Sequence, residues 1–308
     1  TVRLPRGPQP PVDESTHLLN AVQDFLMEAH TNQQALRNLA AFATTPVKAR
    51  RSNITPPPGA LVGRKAELQR VRVLLDDARV ASISGAPGMG KTRLAVAVAS
   101  SFLEDGAWSG GAWMADCSLA SDASGICRAV AHALELPAVT GEDTNAMVAH
   151  VGRLLAARGP LLIILDQVDR AAAAVELAVR AWLAAAPQLC VLLTGPNVPS
   201  LGNVELGPLA FPQPGQKVAE SESVQMLLQR AAALGARDAA DADPLVLAQI
   251  VQALDGIPLA MELAAARLKD MPADELLAAL PSERTLDHAL AWAWNLLTPV
   301  EQSTLAQL

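Results

Sequence analysis

Eight residues, Gly85-Ala-Pro-Gly-Met-Gly-Lys-Thr92, constrain this chain more than any other stretch, because they satisfy G-x-x-x-x-G-K-T without deviation. The pattern needs a setting: a buried strand before it and a helix after it. Val80-Ser84 reads as a short buried strand, and apolar residues at helical spacing run from Lys91 to about Phe102. In that setting the glycines let the loop turn back on itself with its N–H groups pointing inward, and the helix N-terminus adds partial positive charge, so the loop is built for a phosphate chain. Gly85, Pro87, Gly88, Met89 and Gly90 form the loop, with Met89 a filler position. Lys91 is placed to reach the β- and γ-phosphates, and the Thr92 hydroxyl to ligate Mg²⁺.

The second constraint is Leu161-Leu-Ile-Ile-Leu-Asp166, five large aliphatics closed by a carboxylate. Such a run is the mark of a strand covered on both faces. Asp166 at its carboxyl end can face the loop and hold Mg²⁺, or it can simply cap the next helix; its position after a phosphate loop favours the metal role. Asp169 either orients an attacking water or caps the helix of Arg170-Ala185. Arg93, directly after Thr92, either contacts the phosphates or lies on the helix surface.

Around these motifs strands and helices alternate. Further strands are expected at Ala112-Ala115, Leu189-Thr194 and, more weakly, Val204-Leu206, with helices at Gly125-Glu135, Thr144-Ala157 and Ala171-Ala185. This order implies βαβ units: an α/β fold with a parallel sheet and helices on both faces. After Pro212-Gln-Pro-Gly215 only helices are expected, at Ser221-Ala233, Pro244-Leu254, Leu259-Lys269 and Ala273-Leu280, then at Thr285-Leu297 and Val300-Leu308. The last is still running at Leu308, which suggests a cut inside a further domain. Ahead of the sheet, Ser15 to Ala43 carries helical periodicity, and Thr55-Pro-Pro-Pro-Gly59 reads as a stiff linker. The expected division is 1–57 (helical segment and linker), 58–215 (nucleotide-binding domain), 216–282 (helical lid) and 283–308 (the beginning of a winged-helix domain).

Composition narrows the rest. Lys and Arg total 24 against 31 Asp and Glu, so no basic face for direct nucleic-acid binding is expected. Three cysteines, Cys117, Cys127 and Cys190, form no C-x-x-C pair, which argues against a disulfide framework or structural zinc and fits a reducing compartment. No apolar run long enough for a membrane span and no signal peptide is evident, so a cytoplasmic protein is expected. His17, His30, His132 and His150 are scattered without metal-ligand spacing, and His288 reads as structural. Trp108, Trp113 and Trp182 read as core residues.

Several segments together resemble a family. Leu61-Val-Gly-Arg-Lys-Ala-Glu-Leu68 is similar to the entry motif of the STAND signal-transduction ATPases, relatives of the NB-ARC domains of plant resistance and apoptotic proteins. Trp113-Met-Ala-Asp-Cys-Ser118, Val191-Leu-Leu-Thr194, the Glu222–Ala231 helix, Gly256-Ile-Pro-Leu-Ala-Met-Glu-Leu and Leu290-Ala-Trp-Ala-Trp-Asn-Leu-Leu-Thr-Pro follow in the family's order. The resemblance implies ATP or ADP with Mg²⁺ as ligands, Val62 and Arg64 at the adenine and ribose end, and Pro258 packing on the base. Pro258 is equally explained as a first-turn helix proline after the Gly256 turn. The resemblance further implies a switch, closed with ADP and open and self-oligomerising with ATP, whose effector or sensor domain lies outside this chain.

Two departures bear on turnover. Where the family has an arginine after the sensor strand, this chain has Thr194-Gly-Pro-Asn197, and beside Asp166 it has Gln167, which can position a water but not accept its proton. Loss of such charge stabilisation costs on the order of 10²-fold in rate. Slow hydrolysis is expected, with a non-hydrolysing nucleotide-locked scaffold and a constitutive AAA+-like ATPase as the other readings.

Overall fold

The computed structural model describes residues 52–55, 59–106, 108–136, 143–199 and 201–280. The helices expected before Ala43 and the winged-helix residues 283–308 lie outside the described residues. Five parallel strands form one sheet: β1 (Val80–Ser84), β2 (Gly111–Asp116), β3 (Leu161–Asp166), β4 (Leu189–Thr194) and β5 (Asn203–Glu205), in the order β2-β3-β4-β1-β5. The helices are α1 (Lys65–Ala78), α2 (Lys91–Glu104), α3 (Ala123–Ala133), α4 (Thr144–Ala156), α5 (Ala172–Ala185), α6 (Glu222–Ala233), α7 (Pro244–Ala253), α8 (Pro258–Arg267) and α9 (Ala273–Ala279). The α/β class with helices on both faces is thus the observed one.

Side-chain alternation along β3 explains how two layers of helix are held. Leu162 and Ile164 belong to one core, with α1 and α2; Leu161, Ile163 and Leu165 belong to the other, with α3, α4 and α5. All five are fully buried, as a strand with both faces covered requires. Trp182 and Trp113 are core residues, and each indole N–H is satisfied by a carbonyl, Val148 at 3.0 Å and Gly110 at 2.8 Å. Trp108 is half-buried and meets Phe102 edge-on, with ring centroids 4.6 Å apart.

The first core does not stop at the sheet. It runs through Met89, Leu206 and Leu209 into Val224, Leu227, Ile250, Val251, Ala260, Met261 and Leu276, so helices α6 to α9 form a helical subdomain that shares apolar packing with the phosphate-loop face. Ser221 and Asp243 cap α6 and α7 through their side chains, accepting from Val224 and Leu245 N–H. Helix α8 begins one residue earlier than expected, at Pro258 itself.

Two features differ from the sequence expectation. Helix α1, not assigned from the sequence, fills residues 65–78; its flanking residues Arg64 and Arg79 adopt the left-handed conformation at φ 63° and 59° without the glycine or asparagine that marks such ends. Residues grouped with the linker also join the sheet edge. Ser52 bridges Ala112 in parallel, and the Asn53 amide both donates to Met114 C=O and accepts from Met114 N–H, each at 2.8 Å. A side-chain amide here stands in for a peptide group along β2.

Candidate functional site

Strand register places the site. Ile83 pairs with Thr194 across β1 and β4, and Leu165 pairs with Leu193 across β3 and β4. The carboxyl ends of β1, β4 and β3 therefore lie side by side, with the phosphate loop after the first and Asp166 closing the third. β4 lies between them, and Thr194 bridges the gap: its hydroxyl donates to Asp166 Oδ1 and accepts from Gln167 N–H at 3.2 Å. Thr92 Oγ1 donates to the same carboxylate oxygen at 2.8 Å. Asp166 is 6% exposed, so the two hydroxyls do what water cannot. Gln167 follows at φ 60°, a left-handed conformation that costs about 1 kcal/mol for a non-glycine residue. The Thr194 hydroxyl holds this turn.

The loop residues adopt the shape glycine permits. Gly88 and Gly90 have φ 79° and 86°, and a Cβ on Gly90 would meet nothing within 4 Å because it would point into open space. Gly90 is also the N-cap of α2, with no side chain capping its first turn. The orphan N–H groups there suit an anion, which is the fit a phosphate requires. Lys91 folds back over the loop, donating to Gly85 and Ala86 carbonyls at 2.9 Å each. Burial pushes its ammonium pKa below the usual lysine value, with Asp166 and Asp169 opposing the shift. Thr92 and Asp166 together offer the hard oxygen ligands that suit Mg²⁺.

Asp169 opens a 3-10 turn at Asp169–Ala171, and no side chain caps that turn or α5. It lines the cleft instead, with Gln167, Thr194 and Pro196. The cleft measures about 750 Å³ and is walled by Pro87, Gly88, Lys91, Thr92 and Arg93 on one side and by Pro258, Leu259 and Glu262 of α8 on the other. Among the described residues no group of three or more His, Cys, Asp and Glu could hold a metal by itself.

A second, smaller cavity of about 30 Å³ adjoins the cleft, lined by Leu61, Val62, Arg64, Met89, Met226 and Pro258 among others. Val62 and Arg64 are thus brought together with Pro258, which is distant from them in sequence, at one end of the cleft. Pro258 sits at the first turn of α8, as its local reading has it, and also lines both cavities. Arg64 is buried and engaged, donating to Glu67 at 2.9 Å and to the Gly207 carbonyl. Arg93 lines the cleft beside Thr92, and its guanidinium meets Glu262 at 3.3 Å and donates to the Gly59 and Ala60 carbonyls.

Several lining residues were not singled out from the sequence. Met226, Gln229 and Arg230 stand three and four apart on α6, the spacing of one helix face, and all line the smaller cavity. Pro258 and Glu262 are likewise four apart on α8. Thr55, Met114 and Thr194 complete the cleft. Helical spacing from Pro258 and within the Glu222 helix is the signal that could have found Glu262, Gln229 and Arg230.

The fold and this loop define a P-loop NTPase domain. Residues 74–198 match the family model described as an AAA domain. The chain is 30% identical over 265 residues to an uncharacterized protein of Mycobacterium tuberculosis (strain ATCC 25618 / H37Rv), covering 81% of this chain and 65% of that protein. It is 29% identical over 255 residues to a second protein of that strain, named as an HTH-type transcriptional regulator, covering 77% of this chain and 27% of that protein. Among solved structures it is similar to Cdc6p from Pyrobaculum aerophilum, with a TM-score of 0.53, 16% identity, and coverage of 70% of this chain and 63% of that one. The chain therefore spans less than two thirds of the length of these relatives. Among the described residues no helix is long and apolar enough to cross a membrane.

Proposed function

We propose that this chain is the nucleotide-binding switch of a STAND-type signal-transduction ATPase: it binds ATP or ADP with Mg²⁺, ADP favours a closed form, and ATP favours an open, self-associating one. The observation that carries the reading is the convergence of Lys91, Thr92 and Asp166 on a cleft roofed by Pro258 of the helical subdomain. That subdomain acts as a lid. In this reading the loop N–H groups and Lys91 bind the phosphates, Thr92 and Asp166 hold Mg²⁺, and Val62, Arg64 and Pro258 bound the base. A bound Mg²⁺ would supply charge neutralisation at the phosphates. Asp169 and Gln167 face the same space and are the residues to orient a water.

Slow turnover fits the site. Pro196 and Asn197 follow β4 where a guanidinium would stabilise developing charge, and Thr194 is committed to holding Asp166. A slow hydrolase suits a device that reports which nucleotide it carries, because only a difference in affinity between two states can shift their populations. The kinship with a protein named as a transcriptional regulator supports a regulatory role, with the output in a region this chain does not match.

The test is a thermal melt with and without Mg-ADP and Mg-ATP, alongside chromatography of any nucleotide released on denaturation. At a hundredfold excess over Kd a ligand stabilises by about 2.7 kcal/mol, which is a rise in Tm of about 5–10 °C for a domain of this size. Lys91→Ala should abolish the rise. No shift in the native protein, and no released nucleotide, would refute the proposal.

A further inference from the structure

Glu262 places a carboxylate on the wall of a cleft built for an anion. Its Oε1 is shared by two guanidinium groups, Arg93 Nη1 at 3.3 Å and Arg230 Nη2 at 2.8 Å. Arg230 and Glu262 both belong to the helical subdomain, whereas Arg93 belongs to α2, next to Thr92. The Arg93–Glu262 pair therefore crosses from the phosphate-binding core to the lid. At the same seam Leu259 N–H donates to the Gly88 carbonyl at 3.2 Å, and the other Arg93 nitrogen holds the Gly59 and Ala60 carbonyls at 3.2 and 3.5 Å. Beneath this seam lies the smaller cavity, lined by Leu61, Val62, Met226 and Pro258, so the lid helices α6 and α8 wall it directly.

We propose that Glu262 is the positioning residue that gates nucleotide entry and release. Resting on the nucleotide-switch reading, the gate works as a latch: the carboxylate holds Arg93 and keeps the lid down with or without nucleotide, and the pair parts only while the lid is open. One carboxylate between two guanidinium groups leaves the seam with net positive charge, still attractive to a phosphate. Because Glu262 restrains the lid, its loss alters the height of a barrier crossed in both directions. Association and release should then change together, with little change in affinity. The side chains of Arg93 and Glu262 are 20% and 39% exposed, so the pair is a modest one and its effect on a rate is about two- to fivefold.

The experiment is stopped-flow binding of a fluorescent N-methylanthraniloyl ADP, with Mg²⁺, to the full chain. Glu262→Gln is expected to speed association and release alike by about two- to fivefold and to leave Kd within about twofold. Arg230→Gln, which leaves the carboxylate to Arg93 alone, is expected to slow both. The second variant keeps the test decisive if the first does not fold. Unchanged rates in a folded Glu262→Gln protein would overturn the gate, and so would a change in release alone, which would make Glu262 a ligand contact. A wild-type protein giving no saturable signal displaced by unlabelled ADP would overturn the nucleotide reading itself.

Discussion

Thr194 offers the sharpest separation between a side chain that only packs and one that positions chemistry. Its hydroxyl donates to Asp166 Oδ1 and accepts from Gln167 N–H, and it is 1% exposed. Thr194→Val keeps the shape and removes both bonds. A hydrogen bond to a charged group contributes about 1.5–3 kcal/mol. Gln167 is exposed, so its N–H recovers a water and adds little. Asp166 retains Thr92, so the carboxylate is weakened and not orphaned. The net cost is then about 2 kcal/mol, and at about 2–4 °C per kcal/mol the melt should fall by about 4–8 °C. Differential scanning fluorimetry measures this directly. Thr194→Ser keeps the hydroxyl and loses a methyl, and should retain most of the stability. If Thr194→Val melts within about 1 °C of the parent, or if the serine variant is equally damaged, the hydroxyl does not hold Asp166 and the reasoning fails.

Other outcomes follow from burial and backbone shape. Cys117, Cys127 and Cys190 are buried free thiols, and burial pushes them up to about 12, 11 and 11, so none should react quickly with Ellman's reagent at about pH 8, whereas all three should react in denaturant. A fast-reacting thiol in the native protein would contradict that placement. Gly85 and Gly90 should respond differently to alanine. A Cβ on Gly85 would lie 2.5 Å from the Leu206 carbonyl oxygen, whereas on Gly90 it would meet nothing, so Gly90→Ala should cost only about 1 kcal/mol and Gly85→Ala several times that. Melting curves of the two variants would show the reverse order if the loop were shaped otherwise.

The centre of the sheet was legible in the sequence because β3 and β4 are largely runs of aliphatic residues, the composition that a strand covered on both faces favours. The phosphate loop and Asp166 were legible because their chemistry fixes residue types at fixed places. Helix α1 was not: only Val71 and Leu75 are fully buried along it, and Arg79 occupies the C-terminal end where a glycine would have announced the stop. The β5 strand was placed one residue too far along, as three residues carry little pattern. Long-range polar pairings leave still less trace. Arg93 and Glu262 are 169 residues apart, and the Thr194 hydroxyl reaches Asp166 across 28. From the sequence Thr194 marked only an absent arginine; in the structure its hydroxyl holds Asp166 and the Gln167 turn.

The Asn53 contact bears on how this domain seals the edge of its sheet. A sheet has two open rims, and each is a template on which another chain can zip. At one rim β5 is three residues long, too short to offer much purchase. At the other β2 is six residues long and rich in apolar side chains, and it is here that Ser52 and Asn53 occupy the outward-facing peptide groups of Ala112 and Met114. A fragment trimmed at Pro58 would bare that rim. It would be expected to self-associate through strand exchange even with its phosphate loop intact, and any oligomer seen with such a fragment would report a broken seal and not the nucleotide.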